Sequence, residues 1–537
     1  MSAGPQLSLN LSGRYHEVCA LSWPRSDAAI PGKERDRNTD GRVKPGHDNG
    51  MSKEVVFILN GKREVVSGIS PTTTLMNFLR RRKRLTGTKE GCAEGDCGAC
   101  TVIVGEFDGE RVRYRAVNSC ILFVPMLHGK LVLTVESLQG PKGELHPVQQ
   151  ALVDCHGSQC GFCTPGFVMA LYAAYLSEPK PDRQRICDLL AGNLCRCTGY
   201  GPIVEAAERM YDLPRPIWDI ERRAEDFGQL KSIEPGALVY SHNAQRFVAP
   251  VTMEDLTRVL SEHENATLLS GASDVGLWVT KQHRALPNIV YLGRIDDLKR
   301  ISVQNGAMRI GAGVSWSEAK DAIQDRYPSF AELLRRFGSC QVRNSGTVGG
   351  NIANGSPIGD GPPALIALGS RAILRQGIAA RTVLLEDFFL AYGKQDRAPG
   401  EILEAIEISL SAKPEELGCY KISKRFDQDI STVCGCFNIH VENGRVAQAR
   451  ICFGGMAPTP KRALAVEDLL IGQSWTLRTV ERAIEGFESD YTPIADVRGS
   501  AAYRMQAAKN LLLKYFHERQ AGMNPVRLAG RLMPGFA

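Results

Sequence analysis

Three cysteines crowd into one glycine-rich stretch, and this crowding constrains the chain more than any other sequence feature. Residues 91–101 read GCAEGDCGACT, a stretch with almost nothing that could fill a hydrophobic core. A fourth cysteine, Cys120, follows Cys100 after nineteen residues, which completes the pattern C-x4-C-x2-C-x19-C. Cysteines that are this close together in a chain without a secretion signal are more typical of a metal centre than of disulfides.

This first spacing is close to the plant-type pattern in which four thiolates wrap a 2Fe–2S cluster. The glycines fit such a loop, because Gly91, Gly95 and Gly98 let the backbone curl and take positive φ where needed. Backbone N–H groups can then point at the sulfur atoms. A zinc site is the main alternative, although zinc sites favour paired C-x2-4-C spacings. A loop of buried thiols is a further alternative. The predicted iron ligands are Cys92, Cys97, Cys100 and Cys120.

A second set of cysteines follows in the motifs QCGFCTPG and NLCRCTGYG. Each pair stands at the start of a predicted helix, with Pro165 and Pro202 in first-turn positions where proline is tolerated. Helix N-termini lower thiolate pKa values and favour an anionic cluster. A second metal centre beside the first suggests an electron relay. The predicted ligands of the second cluster are Cys160, Cys163, Cys195 and Cys197.

The other eight cysteines, including Cys434 and Cys436, are predicted to be buried small side chains.

Length and composition limit the class of protein. At 537 residues the chain is too long for one hydrophobic core. Its net charge of +6 is too small for this length to indicate nucleic-acid binding. The longest clearly apolar run, residues 166–176, is well short of the roughly 18 to 20 residues that a membrane span needs. No signal peptide opens the chain. We therefore expect a cytoplasmic protein that binds neither nucleic acid nor membrane.

The pattern of apolar residues changes several times along the chain. Hairpin signals at Asn60-Gly61 and Asp108-Gly109 flank a short helix that one of the threonines at 72–74 caps, a β-grasp layout. Later segments alternate strands with helices, such as the helix that Thr252 caps. A further hairpin signal lies at Asn443-Gly444. The predicted segments are 1–50 (disordered extension), 51–136 (β-grasp), 137–212 (four short helices), 213–235 (proline-punctuated linker), 236–410 (α/β), 411–520 (α+β) and 521–537 (tail).

Two glycine-rich loops in the second half of the chain are candidates for binding a diphosphate. Residues 268–276 read LLSGASDVG, and residues 343–360 read RNSGTVGGNIANGSPIGD. Such loops present successive backbone N–H groups and hydroxyls, although glycine-rich turns are common. Neither a G-x-G-x-x-G opening of a βαβ unit nor a Walker A sequence is present, so a Rossmann site is not expected.

Taken together, the motifs resemble a known family. GCAEGDCGACTV, CGFCTPG and LCRCTGYGPI, in this order, are similar to the molybdenum hydroxylases, and in particular to the iron–sulfur/flavin subunit of the bacterial purine-oxidising members. The resemblance runs from about 51 to 520. It implies a multidomain α+β fold: a β-grasp 2Fe–2S ferredoxin domain, a four-helix 2Fe–2S domain, a two-part α/β FAD-binding domain of the non-Rossmann, vanillyl-alcohol-oxidase-like type, and a C-terminal α+β flavoprotein domain.

The resemblance also implies the residues that bind FAD. Both glycine-rich loops are similar to the FAD-binding loops of the family. Phe337 matches the aromatic residue that covers the flavin ring, although it could equally be a core phenylalanine. Residues 424–431 resemble the loop where the nicotinamide acceptor arrives, although their charges could simply be solvated. The implied FAD-binding residues are Leu268, Leu269, Ser270, Gly271, Ala272, Ser273, Asp274, Val275, Phe337, Thr347, Val348, Gly349, Gly350, Asn351, Asp360, Leu403 and Lys421.

The function implied by the resemblance is electron transfer. Substrate is oxidised at a molybdenum cofactor on a partner, and electrons pass through two 2Fe–2S clusters to FAD and then to NAD⁺. No catalytic acid–base group stands out in this chain, so its chemistry would be carried by cofactors. Because the chain ends soon after its last predicted helix, we expect the molybdenum domain on a separate large subunit, within a heterotetramer or larger hetero-oligomer.

Two alternatives remain open at the level of sequence. Within the family, the partner subunit could oxidise an aldehyde, another N-heterocycle or CO instead of hypoxanthine or xanthine. The fusion of iron–sulfur and flavin parts in one chain resembles the purine-oxidising members more than the CO-oxidising ones, whose parts are separate chains. Outside the family, the chain could be a zinc-dependent interaction module joined to a nucleotide-sensing domain. A visible absorption spectrum distinguishes the zinc-dependent module from an iron–sulfur flavoprotein, because clusters and flavin absorb visible light and zinc does not.

The two ligand sets predict two clusters and therefore about four irons per chain. We expect Cys97→Ser to remove one reduced-state EPR signal and to leave the other unchanged. Loss of neither signal, or zinc in place of iron, would contradict the assignment.

Overall fold

A computed structural model describes residues 52–233, 235–263, 265–411, 413 and 416–520 of the chain. The segments predicted as a disordered extension (1–50) and as a tail (521–537) lie outside the described residues. The chain divides into two compact units. The first contains the described residues up to Ala249 with Ala272–Tyr291 and Cys340–Val342, and the second contains Pro250–Gly271, Leu292–Ser339 and the described residues from Arg343 onward.

The first unit opens with a five-stranded mixed sheet in the order β2-β1-β5-β3-β4. Asn60 and Gly61 turn the first hairpin with φ values of 51° and 78°, as a type I′ turn requires. The Thr74 hydroxyl caps the short helix by accepting a hydrogen bond from the Asn77 amide. This confirms the predicted β-grasp. Its elements are β1 (Val55–Leu59), β2 (Lys62–Val66), α1 (Leu75–Asn77), β3 (Thr101–Phe107), β4 (Val112–Asn118) and β5 (Leu131–Leu133).

The helical part of the first unit contains the four predicted helices and a fifth that was not predicted. The central helix is buried along most of its length, and its side chains pack with Ile103 and Leu133 of the sheet in one core. The unpredicted helix lies in the segment predicted as a linker. Two prolines of this segment, Pro214 and Pro216, precede the helix and the third, Pro235, follows it, so none of them interrupts a helical hydrogen bond. The helices are α2 (Pro147–Asp154), α3 (Thr164–Ser177), α4 (Arg183–Leu190), α5 (Gly201–Arg209) and α6 (Ile217–Ser232).

A second, smaller sheet also belongs to the first unit. Its strands β6 and β7 form an antiparallel hairpin, and β9 pairs in parallel with β7. That pairing explains why Ala272–Tyr291 belongs to this unit although the flanking residues belong to the other. The elements are β6 (Leu238–His242), β7 (Gln245–Ala249), α8 (Val275–Thr280) and β9 (Asn288–Tyr291).

The α/β part of the second unit is built on a five-stranded antiparallel sheet in the order β10-β11-β16-β12-β13. Its core includes Trp316 together with residues of the helices that follow. The Thr252 hydroxyl accepts a hydrogen bond from the Asp255 amide, which confirms the predicted cap. The elements are α7 (Met253–Glu262), β8 (Thr267–Leu269), β10 (Ile301–Gln304), β11 (Ala307–Gly311), α9 (Trp316–Ile323), α10 (Pro328–Arg335), α11 (Cys340–Ser345, which begins in the first unit), α12 (Val348–Asn354), α13 (Gly361–Ala367), β12 (Arg371–Gln376), β13 (Ala379–Leu384), β14 (Phe389–Ala391), β15 (Lys394–Gln395) and β16 (Ile402–Ser409).

The C-terminal part of the second unit is a four-stranded antiparallel sheet covered by helices. Asn443 and Gly444 turn its long hairpin with φ values of 51° and 73°, as predicted. Cys434 and Cys436 are fully buried on an inner strand, and Cys155 and Cys452 are buried as well, which confirms the prediction for these four cysteines. The prediction was wrong for Cys187, which is exposed on its helix, and Cys340 and Cys419 are only partly buried. The elements are β17 (Leu417–Ile422), β18 (Val433–Glu442), β19 (Arg445–Gly454), β20 (Lys461–Arg462), α14 (Leu464–Leu470), α15 (Leu477–Ala483), α16 (Phe487–Asp490) and α17 (Ala501–Glu518).

Among the described residues, no helix is both long enough and apolar enough to cross a bilayer. This agrees with the shortness of the apolar runs in the sequence.

A buried polar cluster attaches α6 to the helical part of the first unit. The Asp219 carboxylate, only 1% exposed, accepts a 2.5 Å hydrogen bond from the Tyr172 hydroxyl and lies 3.1 Å from the Arg215 guanidinium. Burial raises the pKa of Asp219, but interactions with His146 and Tyr172 outweigh burial and lower the pKa to about 2. Burial lowers the pKa of His146 despite the neighbouring Asp219 carboxylate, which raises it.

We expect Asp219→Asn to lower the free energy of unfolding at pH 7 by about 2 kcal/mol, the equivalent of the pKa shift from 3.8 to about 2. Because the pKa is lower in the folded protein, this stabilisation is complete above about pH 4. It is lost as the pH falls toward about 2. Urea unfolding followed by circular dichroism between pH 7 and pH 2.5 measures the difference. Asp212→Asn, at an exposed aspartate paired with Lys180, is the control. An equal loss in both variants at pH 7 would contradict the prediction.

Candidate iron–sulfur and flavin sites

The first cysteine set gathers at one end of the β-grasp sheet. Cys92, Cys97 and Cys100 lie on the loop before β3, and Cys120 follows β4, the strand that pairs with β3. Cys100 and Cys120 are each 1% exposed, whereas the other two cysteines are half-buried. The antiparallel pairing of β3 and β4 therefore brings the distant fourth cysteine to the loop.

The four thiols of this set contact one another. Hydrogen bonds from Cys120 and Cys97 hold the pKa of Cys92 far below its usual range. The bond between Cys92 and Cys97 raises the pKa of Cys97. Bonds with Cys100 and Cys92 raise the pKa of Cys120. The backbone amides of Asp96 and Cys97 also donate to the Cys92 sulfur, at 3.4 and 3.3 Å. Four sulfur atoms in contact, with amides aimed at one of them, fit an anionic iron–sulfur cluster.

The glycines of this loop have two different physical roles. Gly95 and Gly98 take positive φ, 79° and 70°, as expected from the sequence. Gly91 does not take positive φ. A Cβ atom on it would lie 2.7 Å from the Cys97 sulfur, so it is needed for close approach instead. The loop can therefore wrap the thiols without a side chain intruding among them.

The second cysteine set lies where the helical part opens to solvent. Cys163 is the N-cap residue of α3, and Cys195 and Cys197 precede α5. Burial and a hydrogen bond with Cys195 raise the pKa of Cys163 to about 12. Burial also raises the pKa of Cys195, but hydrogen bonds from the Thr198 hydroxyl and amide outweigh it, and this pKa is lowered. Cys160 and Cys197 are hydrogen-bonded to each other, so the second set also forms one group.

An open groove of about 430 Å³ surrounds the second set. Its apolar lining includes Phe162, Leu194 and Tyr200, whose side chains are 48%, 37% and 39% exposed. Tyr200 has a φ of 68°, unusual for a residue with a side chain, and its hydroxyl accepts a hydrogen bond from the Cys195 amide at 2.9 Å. Exposed apolar residues around a group of thiols are typical of a surface that another molecule covers.

The ligand geometry of the two cysteine sets is that of gathered thiols. Across the described part of the chain, no three or more His, Cys, Asp or Glu side chains are arranged to hold one metal ion. Each cysteine set nevertheless gathers four thiols, and four cysteine thiolates are the ligands of a 2Fe–2S cluster.

In the second unit the two glycine-rich loops meet. A Cβ atom on Gly271 would lie 1.9 Å from the carbonyl oxygen of Ser345, so the loops touch through backbone. Gly349 packs closely against Ala312, because a Cβ atom on Gly349 would lie 2.4 Å from the Cβ atom of Ala312. Gly350 differs: it is exposed, and a Cβ atom there would meet only the Thr347 hydroxyl. The open face of α12 at Gly350 leaves room for a diphosphate.

Of the residues implied for FAD binding, those that belong to the second unit do not all face open space. Asp360 and Lys421 form a buried ion pair of 2.8 Å, and the Ser431 hydroxyl donates to the other carboxylate oxygen of Asp360. Leu403 is 5% exposed within the core. Phe337 is half-buried, with its ring centroid 5.6 Å from that of Trp316.

The loop 268–275 passes from the second unit to the first after Gly271. Leu268, Leu269, Ser270, Thr347, Val348 and Asn351 lie in the second unit, whereas Ala272, Ser273, Asp274 and Val275 lie in the first.

One buried atom supports the fit of these residues to FAD. The Oδ1 atom of Asn351 has no hydrogen-bond partner among the described residues. It lies in α12, beside the exposed Gly350. A ligand that donates a hydrogen bond would satisfy this oxygen.

Two features of the second unit were missed from the sequence. The Arg336 guanidinium donates to the carbonyls of Phe426 and Lys421 and lies 4.3 Å from the centroid of the Phe426 ring. Ser431 is bonded to Asp360. Both contacts tie residues 424–431 to residues that are far away in sequence, and no local pattern signals them.

Comparison with known proteins assigns the chain to a family. Sequence models match in order: the 2Fe-2S iron-sulfur cluster binding domain at residues 57–124, the [2Fe-2S] binding domain at 134–208, the FAD binding domain in molybdopterin dehydrogenase at 242–410 and the CO dehydrogenase flavoprotein C-terminal domain at 418–519. The four matches confirm the predicted fold class. The chain belongs to the molybdenum hydroxylase family and carries its iron–sulfur and flavin electron-transfer domains.

Individual relatives narrow the comparison further. Xanthine dehydrogenase of Drosophila pseudoobscura pseudoobscura is 31% identical over 529 residues, which cover 87% of this chain and 39% of the relative. Xanthine dehydrogenase/oxidase of Gallus gallus is 30% identical over 540 residues, covering 86% and 40%. The chain thus spans about two-fifths of the length of these curated relatives.

Two solved structures are similar to about half of this chain. Carbon monoxide dehydrogenase from Hydrogenophaga pseudoflava is similar with 27% identity and a TM-score of 0.47, covering 50% of this chain and 95% of that one. Quinoline 2-oxidoreductase from Pseudomonas putida 86 has 23% identity and a TM-score of 0.47, covering 51% and 96%.

We expect Gly350→Val to give folded protein with both clusters but at least about tenfold weaker FAD binding, or about 1.4 kcal/mol. The valine would project into the open face of α12, where its Cβ atom would lie 2.8 Å from the Thr347 hydroxyl and meet no backbone atom. FAD and iron per chain measure the effect. Gly228→Val, at a helical glycine with open surroundings, is the control. Full flavin content in Gly350→Val would show that the diphosphate lies elsewhere.

Proposed function

We propose that this chain is the iron–sulfur/FAD electron-transfer subunit of a xanthine dehydrogenase. It takes electrons from hypoxanthine or xanthine oxidation at a molybdenum cofactor on a partner subunit and delivers them through two 2Fe–2S clusters to FAD and then to NAD⁺. The observation that carries the proposal is the contact between the two cysteine sets: the Leu194 amide, next to Cys195, donates to the Cys97 carbonyl at 3.0 Å. Relatives named xanthine dehydrogenase support the substrate.

In this function the residues of the chain hold and orient the cofactors. The eight predicted cysteines would supply four thiolates to each cluster. Amides and hydroxyls that donate to sulfur, such as those of Thr198 to Cys195, would stabilise the negative charge. When bound, the clusters accept and release single electrons and the flavin accepts a pair. Thr347–Asn351 would orient the diphosphate and ribityl chain along α12.

Residues 424–431 would form the part of the chain where NAD⁺, the electron acceptor, approaches the flavin. The Asp360 carboxylate bonds to both Lys421 and Ser431, so this segment is joined to residues implied for FAD binding within one unit. The Arg336 guanidinium packs on Phe426 in the same segment. These contacts would hold the segment in place beside a flavin for NAD⁺ to approach.

The partner side concerns the groove around the second cysteine set. Phe162, Leu194 and Tyr200 present apolar surface there. The resemblance to the molybdenum hydroxylases implies that this cluster would lie nearer the molybdenum than the first one. We propose that the molybdenum-cofactor-binding large subunit covers this groove. A contact that persists through turnover should bury on the order of 2,000 Å² or more.

The experiment that tests the proposal separates the two half-reactions. We expect the purified chain to pass electrons from NADH to an artificial dye through FAD and to oxidise no purine. Adding the large subunit should restore xanthine oxidation coupled to NAD⁺ reduction. Assays of the complex with hypoxanthine, xanthine and aldehydes identify the substrate.

Specific outcomes would contradict the proposal. Xanthine turnover by the chain alone, free of molybdenum and of any partner, would refute the division of labour. Turnover of aldehydes and not of purines by the complex would reassign the substrate. Inability of NADH to reduce flavin-loaded protein would reject NAD⁺ as the acceptor.

A further inference from the structure

The two cysteine loops of the first unit meet through glycines. A Cβ atom on Gly98, between Cys97 and Cys100, would lie 2.2 Å from the Gly192 carbonyl oxygen. A Cβ atom on Gly166, in the first turn of α3, would lie 2.3 Å from the Gly98 carbonyl oxygen. Neither space admits a side chain, so the loops are as close as their backbones allow.

A pair of buried amide side chains closes this junction. Asn193 is 2% exposed and donates to the Gly98 carbonyl at 3.1 Å, while its own oxygen accepts a 2.8 Å hydrogen bond from the Gln341 amide. Gln341 is fully buried and lies 3.3 Å from the Thr101 hydroxyl, to which it also donates. The pair thus links the loops of both cysteine sets to a residue more than 140 positions away in sequence.

The place of this pair in the sequence shows what it can influence. Asn193 is two residues before Cys195, and Gly98 follows Cys97 directly. Between them lies the bond from the Leu194 amide to the Cys97 carbonyl. Gln341 lies within the range matched to the FAD-binding domain, although it packs in the unit of the cysteines. A shift of either amide would therefore move the two sets of ligands relative to each other.

We propose that Asn193 and Gln341 are positioning residues that fix the spacing between the two clusters and thereby the electron transfer between them. In that step one electron leaves the reduced cluster and enters the oxidised one, with no bond or proton changed. The proposal rests on the proposed function only in requiring that both clusters be bound. Its test needs no purine, partner or NAD⁺.

The experiment uses the full chain with both clusters and two variants that disturb the junction differently. Gln341→Met removes the amide at similar volume, and Gly166→Ala forces a Cβ atom against the Gly98 carbonyl. We expect both variants to keep about four irons. We also expect a smaller magnetic splitting between the two clusters in the EPR spectrum of dithionite-reduced protein. After laser-flash photoreduction, the electron should redistribute between the clusters at least about tenfold more slowly.

Matched controls exist for both variants. Gln150→Met changes a half-buried glutamine of α2 whose side chain donates to Asp154. Gly228→Ala adds a Cβ atom to a helical glycine with nothing within 4 Å. Both controls should keep the wild-type splitting and rate.

Two results would overturn the proposal. If either junction variant keeps four irons with the wild-type splitting and rate, the junction does not set the spacing. If both variants lose iron, the pair serves to retain a cluster and not to space the two. Failure of xanthine oxidation in the complex, with the EPR result as expected, would count against the proposed substrate and not against this role.

Discussion

The structure of the first unit depends on gathering four thiols at each of two points. Thiolates repel one another, so each set needs hydrogen-bond donors aimed at sulfur and a backbone that leaves no side chain in the way. The amides around Cys92 and the Thr198 groups around Cys195 supply the donors. Gly91, Gly95 and Gly98 supply the space. The β-grasp sheet and the helices serve as a rigid frame for these two loops.

The same principle of close backbone approach recurs in the second unit. Gly271 lies against Ser345 and Gly349 against Ala312, which brings two loops that are distant in sequence to one place and leaves Gly350 facing outward. The buried ion pair of Asp360 and Lys421 holds the segment 424–431 through Ser431. Removing either Asp360 or Lys421 alone would leave the other charge buried without compensation, so the pair is stable only when both residues are present.

Local signals in the sequence predicted the parts whose geometry is local. Asn60-Gly61 and Asn443-Gly444 form the expected turns because positive φ at these residues is a property of the dipeptide itself. Thr74 and Thr252 cap helices as expected, since a cap needs only an amide three residues on. The prolines and charges of the segment 213–235 predict a linker, but Ile217–Ser232 forms a helix. The helix is stabilised by buried contacts of Asp219 with Tyr172, which no local window contains.

The sequence by itself determined the two cysteine sets, the order of the domains and the family, because ligand spacing and glycine positions are written along the chain. The tertiary structure alone decided which residues meet. It brought Cys120 to its loop through strand pairing and Gln341 to Asn193. It also placed Arg336 on Phe426 and divided the loop 268–275 between two units. These contacts join residues far apart in sequence, and their partners are selected by packing of the folded chain, for which a local pattern carries no signal.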